Sequence, residues 1–282
     1  MSDSFTLAAA RLRELDRDRY TASLVITPDR RRYVQAIFAF AAEVATIRER
    51  VSEPGPGEIR LQWWHDAIEG QEGHGAIAQN PVADALLQTL DRLQLPAGPL
   101  LRLLAARRFD LYHDPMPDLA QFEGYAGETV SVLYQYATMI LANGPAVEAA
   151  DAAGHLGVAQ ALTGHLRAFA YNAARGQLFL PLAIFTAHGV READIHAGAD
   201  SAELRAALLQ VGELALDHQQ RARDAIANLP RPWRPGFASI ALVGQDIKAL
   251  SPALRRGAFV QPPALSPMRR LWGVMLWTLR NG

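Results

Sequence analysis

The chain has 282 residues, half of them hydrophobic and a fifth charged, the balance of a folded globular protein and not of a disordered one. Its net charge of −1 supplies no global field to draw it onto nucleic acid, and the absence of cysteine removes disulfides, thiolate metal sites and cysteine nucleophiles together. No apolar run reaches the roughly 18 residues of a membrane span, and Met1–Phe5 lacks the basic-then-apolar order of a signal peptide, so the expected location is the cytoplasm.

Ala, Leu, Arg, Glu and Gln fill long stretches, and strand-like alternation is hard to find. Pro28-Asp29 opens a helix in which Tyr33, Ile37, Phe40, Val44 and Ile47 recur at spacings of three and four, running to Ser52 before Pro54-Gly55-Pro56-Gly57 stops it. Helices follow over Glu58–Gly70, Pro81–Leu93, Leu100–Tyr112, Leu119–Ala142 and Val147–Ala173. The last of these is poor in charge, which places it centrally in its domain. Ser201–Asn228, Ala238–Leu250 and Ser266–Leu279 complete the series. With short loops, even composition and no internal repeat, residues 1–282 are expected to form a single all-α domain of about ten helices.

Motifs for chemistry are scarce. None of the eight histidines stands in a zinc-type helical pair, and there is no nucleophile elbow, Walker loop or dinucleotide fingerprint. His65, His165 and His218 face either a core or a cavity. Arg30-Arg31-Arg32 reads as a solvated helix face, and Gly154 and Gly157 as positions of close helix packing. Carboxylates one turn apart can share a face and hold Mg²⁺ against a diphosphate. The pairs present, Glu14/Asp18, Glu49/Glu53, Asp110/Asp114 and Glu213/Asp217, are flanked by arginines or turn residues and fit salt bridging, with Asp217/Arg221 and Glu43/Arg50 as examples. Spacing alone yields no metal site.

The stretch Asp18-Arg19-Tyr20-Thr21-Ala22-Ser23-Leu24, followed by Pro28, Arg31 and Ala36-Ile37-Phe38-Ala39-Phe40, resembles the opening of squalene and phytoene synthases. Arg175-Gly176-Gln177-Leu178-Phe179-Leu180-Pro181 is similar to that family's RGRxYLP turn, and Tyr125-Ala126 also fits. The resemblance runs from about residue 5 to about 280. It implies the isoprenoid synthase fold, helices around a central cavity where two isoprenyl diphosphates condense head to head with Mg²⁺. Its catalytic residues largely fail to carry over. The first aspartate motif falls on Ala45 and Glu49, with Phe38 and Ala42 at the tyrosine and arginine positions upstream. The second falls on Ala168 and Asn172, preceded by Ala161 and Gly164 where the family has Gln and Asn; Arg167 and Arg175 match. Mg²⁺ requires hard anionic oxygens, so no metal or cofactor is expected unless Glu49, Arg167 and Arg175 serve a modified prenyltransferase.

A narrower subgroup is more similar: Ala39-Phe40-Ala41-Ala42-Glu43-Val44, Val51-Ser52-Glu53, Gly57-Glu58-Ile59-Arg60-Leu61-Gln62-Trp63-Trp64 and Gly157-Val158-Ala159-Gln160 resemble phytoene synthase-like proteins that assist assembly of respiratory complex I. That resemblance implies a catalytically degenerate helper with protein partners, among them complex I subunits, peripheral at the inner membrane. A non-catalytic binder of an isoprenoid or quinone-like lipid is the alternative. Trp63, Trp64, Trp272 and Trp277 are candidate partner contacts, since tryptophan is enriched in binding hot spots. In the C-terminal segment Met268, Leu271, Trp272, Met275, Leu276 and Leu279 form one stripe, with Val274 and Trp277 off it and arginines at both ends. This is expected to be a helix docked on its own domain, an interfacial membrane helix being the second reading.

Overall fold

The computed structural model describes residues 3–70, 79–144 and 148–281, and these contain helices and connecting turns with no strand. Asp3 caps α1 (Ser4–Leu15), and Asp16 both ends α1 and accepts from the Arg19 amide to start α2 (Arg17–Ser23). Then come α3 (Pro28–Ala45), α4 (Pro54–Glu69), α5 (Pro81–Leu93) and α6 (Gly98–Arg107). The expected stop at Pro54-Gly55-Pro56-Gly57 is instead the first turn of α4, where a proline loses no hydrogen bond. α7 (Leu119–Ala126) continues through a π-helical stretch, Gly127–Ser131, into α8 (Val132–Ala142). α9 (Ala150–Arg167) breaks at Ala168 before α10 (Phe169–Ala173).

The short α11 (Leu182–Ala187) and α12 (Glu192–His196) lie in a segment with no helix expected from its pattern; helices of five or six residues persist only by packing. α13 (Ala202–Ala227), capped by Ser201, is followed by a 3₁₀ stretch, Arg231–Phe237. α14 (Ile240–Arg256) runs past its expected end and through Pro252, and α15 (Pro267–Asn281) closes the described chain.

Among the described residues two large apolar cores form, with a small third cluster of Ala22, Ala238, Leu242 and Val274. The first gathers α1, α3, α4, α5 and α6, and the second gathers α7, α9, α13 and α14. α8 serves both: Leu133, Tyr136 and Ile140 face the first, and Tyr134 the second. Tyr134 stacks on Phe237 at 5.8 Å and meets Phe38 edge-on at 6.5 Å, so the interior at this junction is packed with rings. α9 and α13 form the most extensive helix pair, and Ala152, Ala153, Ala159 and Ala161 keep α9 slim enough for burial. Gly157 lets α9 press on the π-helical stretch, because a Cβ there would run into the Ser131 backbone. Gly154 does not share that role; a Cβ on it would meet open space, and its carbonyl accepts from Ser131 Oγ.

Candidate functional site

The two pairs of motif positions lie where α3 and α9 end. Ala45 is the last residue of α3, and Ile47–Arg50 winds as a 3₁₀ turn with the Glu49 amide bonded to the Thr46 carbonyl at 3.1 Å. Three-per-turn winding aligns residues three apart and sets residues four apart about 120° from each other. Arg48 therefore stands on the face that Ala45 begins, and Glu49 turns out and is exposed. The expected helix to Ser52 would have aimed Glu49 inward; Thr46, whose hydroxyl donates to the Glu43 carbonyl, sits where α-winding ends.

Arg48 reaches the second motif directly. Its Nη2 donates to Asn172 Oδ1 at 3.3 Å, and its guanidinium lies 4.4 Å from the Phe179 ring centroid. Asn172 is buried in α10, one turn past Ala168. Phe179, in the Arg175–Pro181 turn, is also stacked on His165 at 5.0 Å. Burial first, then the positive charge of Arg48, push the His165 imidazole down to about 3, so it stays neutral beside the fixed cation. Alongside, Arg107 donates to both Asp110 Oδ2 and the Tyr125 hydroxyl at 2.9 Å, and that hydroxyl donates to Asp110 Oδ1 at 2.5 Å. Burial raises the Tyr125 phenol far above its ordinary value, so the hydroxyl keeps its proton.

Magnesium does not fit this arrangement. Ala45 and Ala168 offer no oxygen, Asn172 offers a neutral amide already engaged by a cation, and Glu49 faces away. Among the described residues no group of three or more His, Asp or Glu side chains is arranged to hold a metal ion.

The two matching arginines have separate surroundings. Arg167 donates to Asp246 Oδ2 at 2.9 Å and lies 3.6 Å from Asp18; Arg270 of α15 bonds Asp246 Oδ1 at 2.8 Å and Asp18 Oδ2 at 3.0 Å. Four charges thus tie α2, α9, α14 and α15 together. Burial lifts the Asp18 carboxyl above its ordinary range, against the pull of Arg270. Arg175 is exposed and lies over Tyr171 at 5.4 Å. Asp217 pairs with Arg221 as expected, but Glu43 goes to Arg11 on α1 at 2.8 Å and not to Arg50. Arg31 donates to the Leu24 and Ile26 carbonyls, so the basic run is not wholly a solvated face.

Trp64 is buried edge-on to Phe40 at 5.0 Å, and Trp63 packs on Trp64 at the rim of a cavity of about 340 Å³ with Glu43, Arg50 and Arg60. Another cavity, of about 430 Å³, lies against the π-helical stretch; His155 and His218 meet there with Nδ1 atoms 3.1 Å apart, and Glu123 is 3.3 Å from His218 Nε2. Desolvation pushes His218 below its ordinary value. Arg48, His155, Asp246 and Arg270 carry no sequence motif, and only tertiary structure brings them to these places.

Residues 12–269 match the family model for squalene/phytoene synthase. The chain belongs to the squalene/phytoene synthase family. It is 31% identical to complex I assembly factor 6 of Rattus norvegicus over 88% of this chain and 74% of that one, and 30% identical to the Homo sapiens protein over 85% and 71%. Phytoene synthase of Thermus thermophilus is 27% identical over 80% of each chain. In fold the chain is similar to a dehydrosqualene synthase (TM-score 0.79, 18% identity, 98% and 96% covered) and to a squalene synthase of Alicyclobacillus acidocaldarius (TM-score 0.73, 19% identity, 90% and 93% covered). The isoprenoid synthase fold expected from the motifs is thus present, and this member of the family carries Arg48 against Asn172 where the aspartate motifs of its resemblance would face each other.

Proposed function

We propose that this chain assists assembly of NADH:ubiquinone oxidoreductase through protein contacts, working in the cytoplasm at the inner membrane, and does not join prenyl diphosphates. The observation that carries the reading is the Arg48–Asn172 contact. Ionising an allylic diphosphate puts negative charge on the leaving group, and metal ions must take it up. An arginine at the meeting of the two motifs repels the metal that this step needs, and no carboxylate of either motif is left inside to attract it. Similarity to complex I assembly factor 6 over most of the chain supports the assembly role. Half-buried Trp63 is the partner contact proposed.

Deleting the gene and measuring assembled complex I in the membrane tests the first half, and the expected outcome is a loss restored by the wild-type gene and by Arg48→Lys. Undiminished complex I would overturn it. Incubating the purified protein with Mg²⁺ and radiolabelled farnesyl or geranylgeranyl diphosphate tests the second half. No squalene, phytoene or cyclopropyl intermediate is expected; any of them would refute the silent reading, and tight binding without product would point to an isoprenoid carrier instead.

A further inference from the structure

α15 docks with the side opposite to the one its sequence favours. At about 100° per residue, Met268, Trp272, Met275, Leu276 and Leu279 share one arc of roughly 100°, and Arg270, Val274, Trp277 and Asn281 share the opposite one. The second set meets the domain. Val274 is fully buried, Trp277 packs on the second core, Arg270 is bonded to Asp18 and Asp246, and the Asn281 carbonyl accepts from Arg234 at 3.0 Å. Gly273 lies against the Gln245 side chain of α14, whose terminal amide a Cβ there would displace. The apolar arc is left in solvent: Trp272 is 54% exposed, Leu276 47% and Leu279 81%. Helices of this kind ordinarily bury their apolar stripe. Here charge pairs and one close-packed valine hold the helix the other way round.

The surrounding charge states what the face fits. From residue 247 to 282 the chain has six basic residues and no acidic one, so that with a total of −1 the first 246 residues carry −7. Of the six, only Arg270 is spent on carboxylates; Lys248, Arg255, Arg256, Arg269 and Arg280 are exposed, with no ion pair among the described residues. Arg269 and Arg280 border the apolar arc on the helix surface. A convex strip of Trp, Met and Leu, edged by arginine and free of acid, matches the boundary between acyl chains and anionic headgroups.

We propose that the outer face of α15 is a docking surface for an anionic phospholipid bilayer, held ready by the Arg270 clamp. This deepens the location proposed above and rests on that reading for its biological meaning. The full-length protein is sedimented with vesicles of phosphatidylcholine alone and with vesicles containing about 30% phosphatidylglycerol; partition is expected to be about tenfold greater on the second. The double variant Trp272→Glu/Leu279→Glu alters two solvent-facing side chains, so its thermal melt should match the parent, while its partition falls by about tenfold or more. Arg269→Gln/Arg280→Gln should remove the preference for anionic vesicles.

Equal partition of the parent on both vesicle types, or unchanged partition of the acidic double variant, would overturn the proposal. So would a lipid-free dimer that the same variant converts to monomer, since the face would then be covered by a second copy. Vesicle binding with intact complex I after gene deletion would sink the assembly role and keep the lipid surface; the converse would do the reverse.

Discussion

Two of the places where charge joins distant helices are built on opposite terms. Where α3 and α9 end, one guanidinium, Arg48, meets a neutral amide and an aromatic ring, with His165 held uncharged beside it. At the junction of α2, α9, α14 and α15, two carboxylates face two guanidiniums, Asp18 and Asp246 with Arg167 and Arg270. The contrast teaches what became of inward-facing acid in this chain. The buried carboxylates of Asp246 and Asp110 are each neutralised by arginine, whereas the buried Asp66 accepts from Gln62 Nε2 at 2.6 Å. Paired with arginine, carboxylates tie helices together and have little left to offer a divalent ion.

The largest effect should come from breaking the balanced junction. Arg270→Ala leaves Asp246, which is buried, and Asp18 with Arg167 as the remaining partner, and stability is expected to fall by about 3 kcal/mol. Urea denaturation measures the loss, and hydrogen exchange should show α15 opening ahead of the rest. A melt unchanged from the parent would mean that Val274 and Trp277 alone hold the helix.

Acid should strike the other place. The folded imidazole of His165 sits near 3 against an ordinary 6.5, so the neutral ring contributes its full stability above about 6.5. That contribution drains as pH falls towards 3, at up to about 1.4 kcal/mol per pH unit. Asp18 behaves in the reverse sense: its raised value makes protonation easier in the fold, so its term weakens as pH climbs through the acid range and adds nothing to acid lability. Denaturant midpoints between pH 7 and 4 should therefore fall less steeply in His165→Gln than in the parent; parallel curves would place the acid response elsewhere. Arg48→Ala should cost less, about 1 kcal/mol for one hydrogen bond and one ring contact, and should lift the His165 value as a nearby positive charge leaves. An NMR titration of the His165 ring at an unmoved value would show Arg48 to be electrostatically idle.

The sequence made some of this legible and hid the rest for identifiable reasons. Periodicity located α5, α13 and α15 closely, since each has a strong apolar stripe or a capping residue. It ran α3 on to Ser52, and that error matters, for a continued helix would have turned Glu49 inward and made it the one surviving ligand. The actual 3₁₀ turn exchanges it for Arg48. Motif comparison named the positions, Ala45, Ala168 and Asn172, that the structure brings to one region, yet it could not supply Arg48, whose role depends on winding. Nor could it supply the Asp18–Arg270 bond, which spans 252 positions and has no local signature. The stripe on α15 was visible, and its outward orientation was not, because burial of Val274 and Arg270 is decided by α2 and α14.

The most direct test of the contrast comes from returning the acid. Ala45→Asp/Ala168→Asp/Asn172→Asp restores carboxylates at three of the four motif positions while Arg48 stays in place. The new carboxylate at position 172 should then bond Arg48, as Asp110 bonds Arg107, and Mg²⁺ should leave the melting temperature unmoved. Adding Arg48→Ser removes the internal cation. In that variant Mg²⁺ at about ten times its dissociation constant should stabilise the fold by about 1.4 kcal/mol, read as a rise in melting temperature that a chelator reverses. If the triple variant already responds to Mg²⁺, Arg48 is no obstacle to metal, and the missing carboxylates alone account for the site's failure to fit it. If neither variant responds, the 3₁₀ turn and the break at Ala168 have moved the two motifs out of register, and the backbone, not the charge, separates this chain from the metal chemistry its fold would otherwise frame.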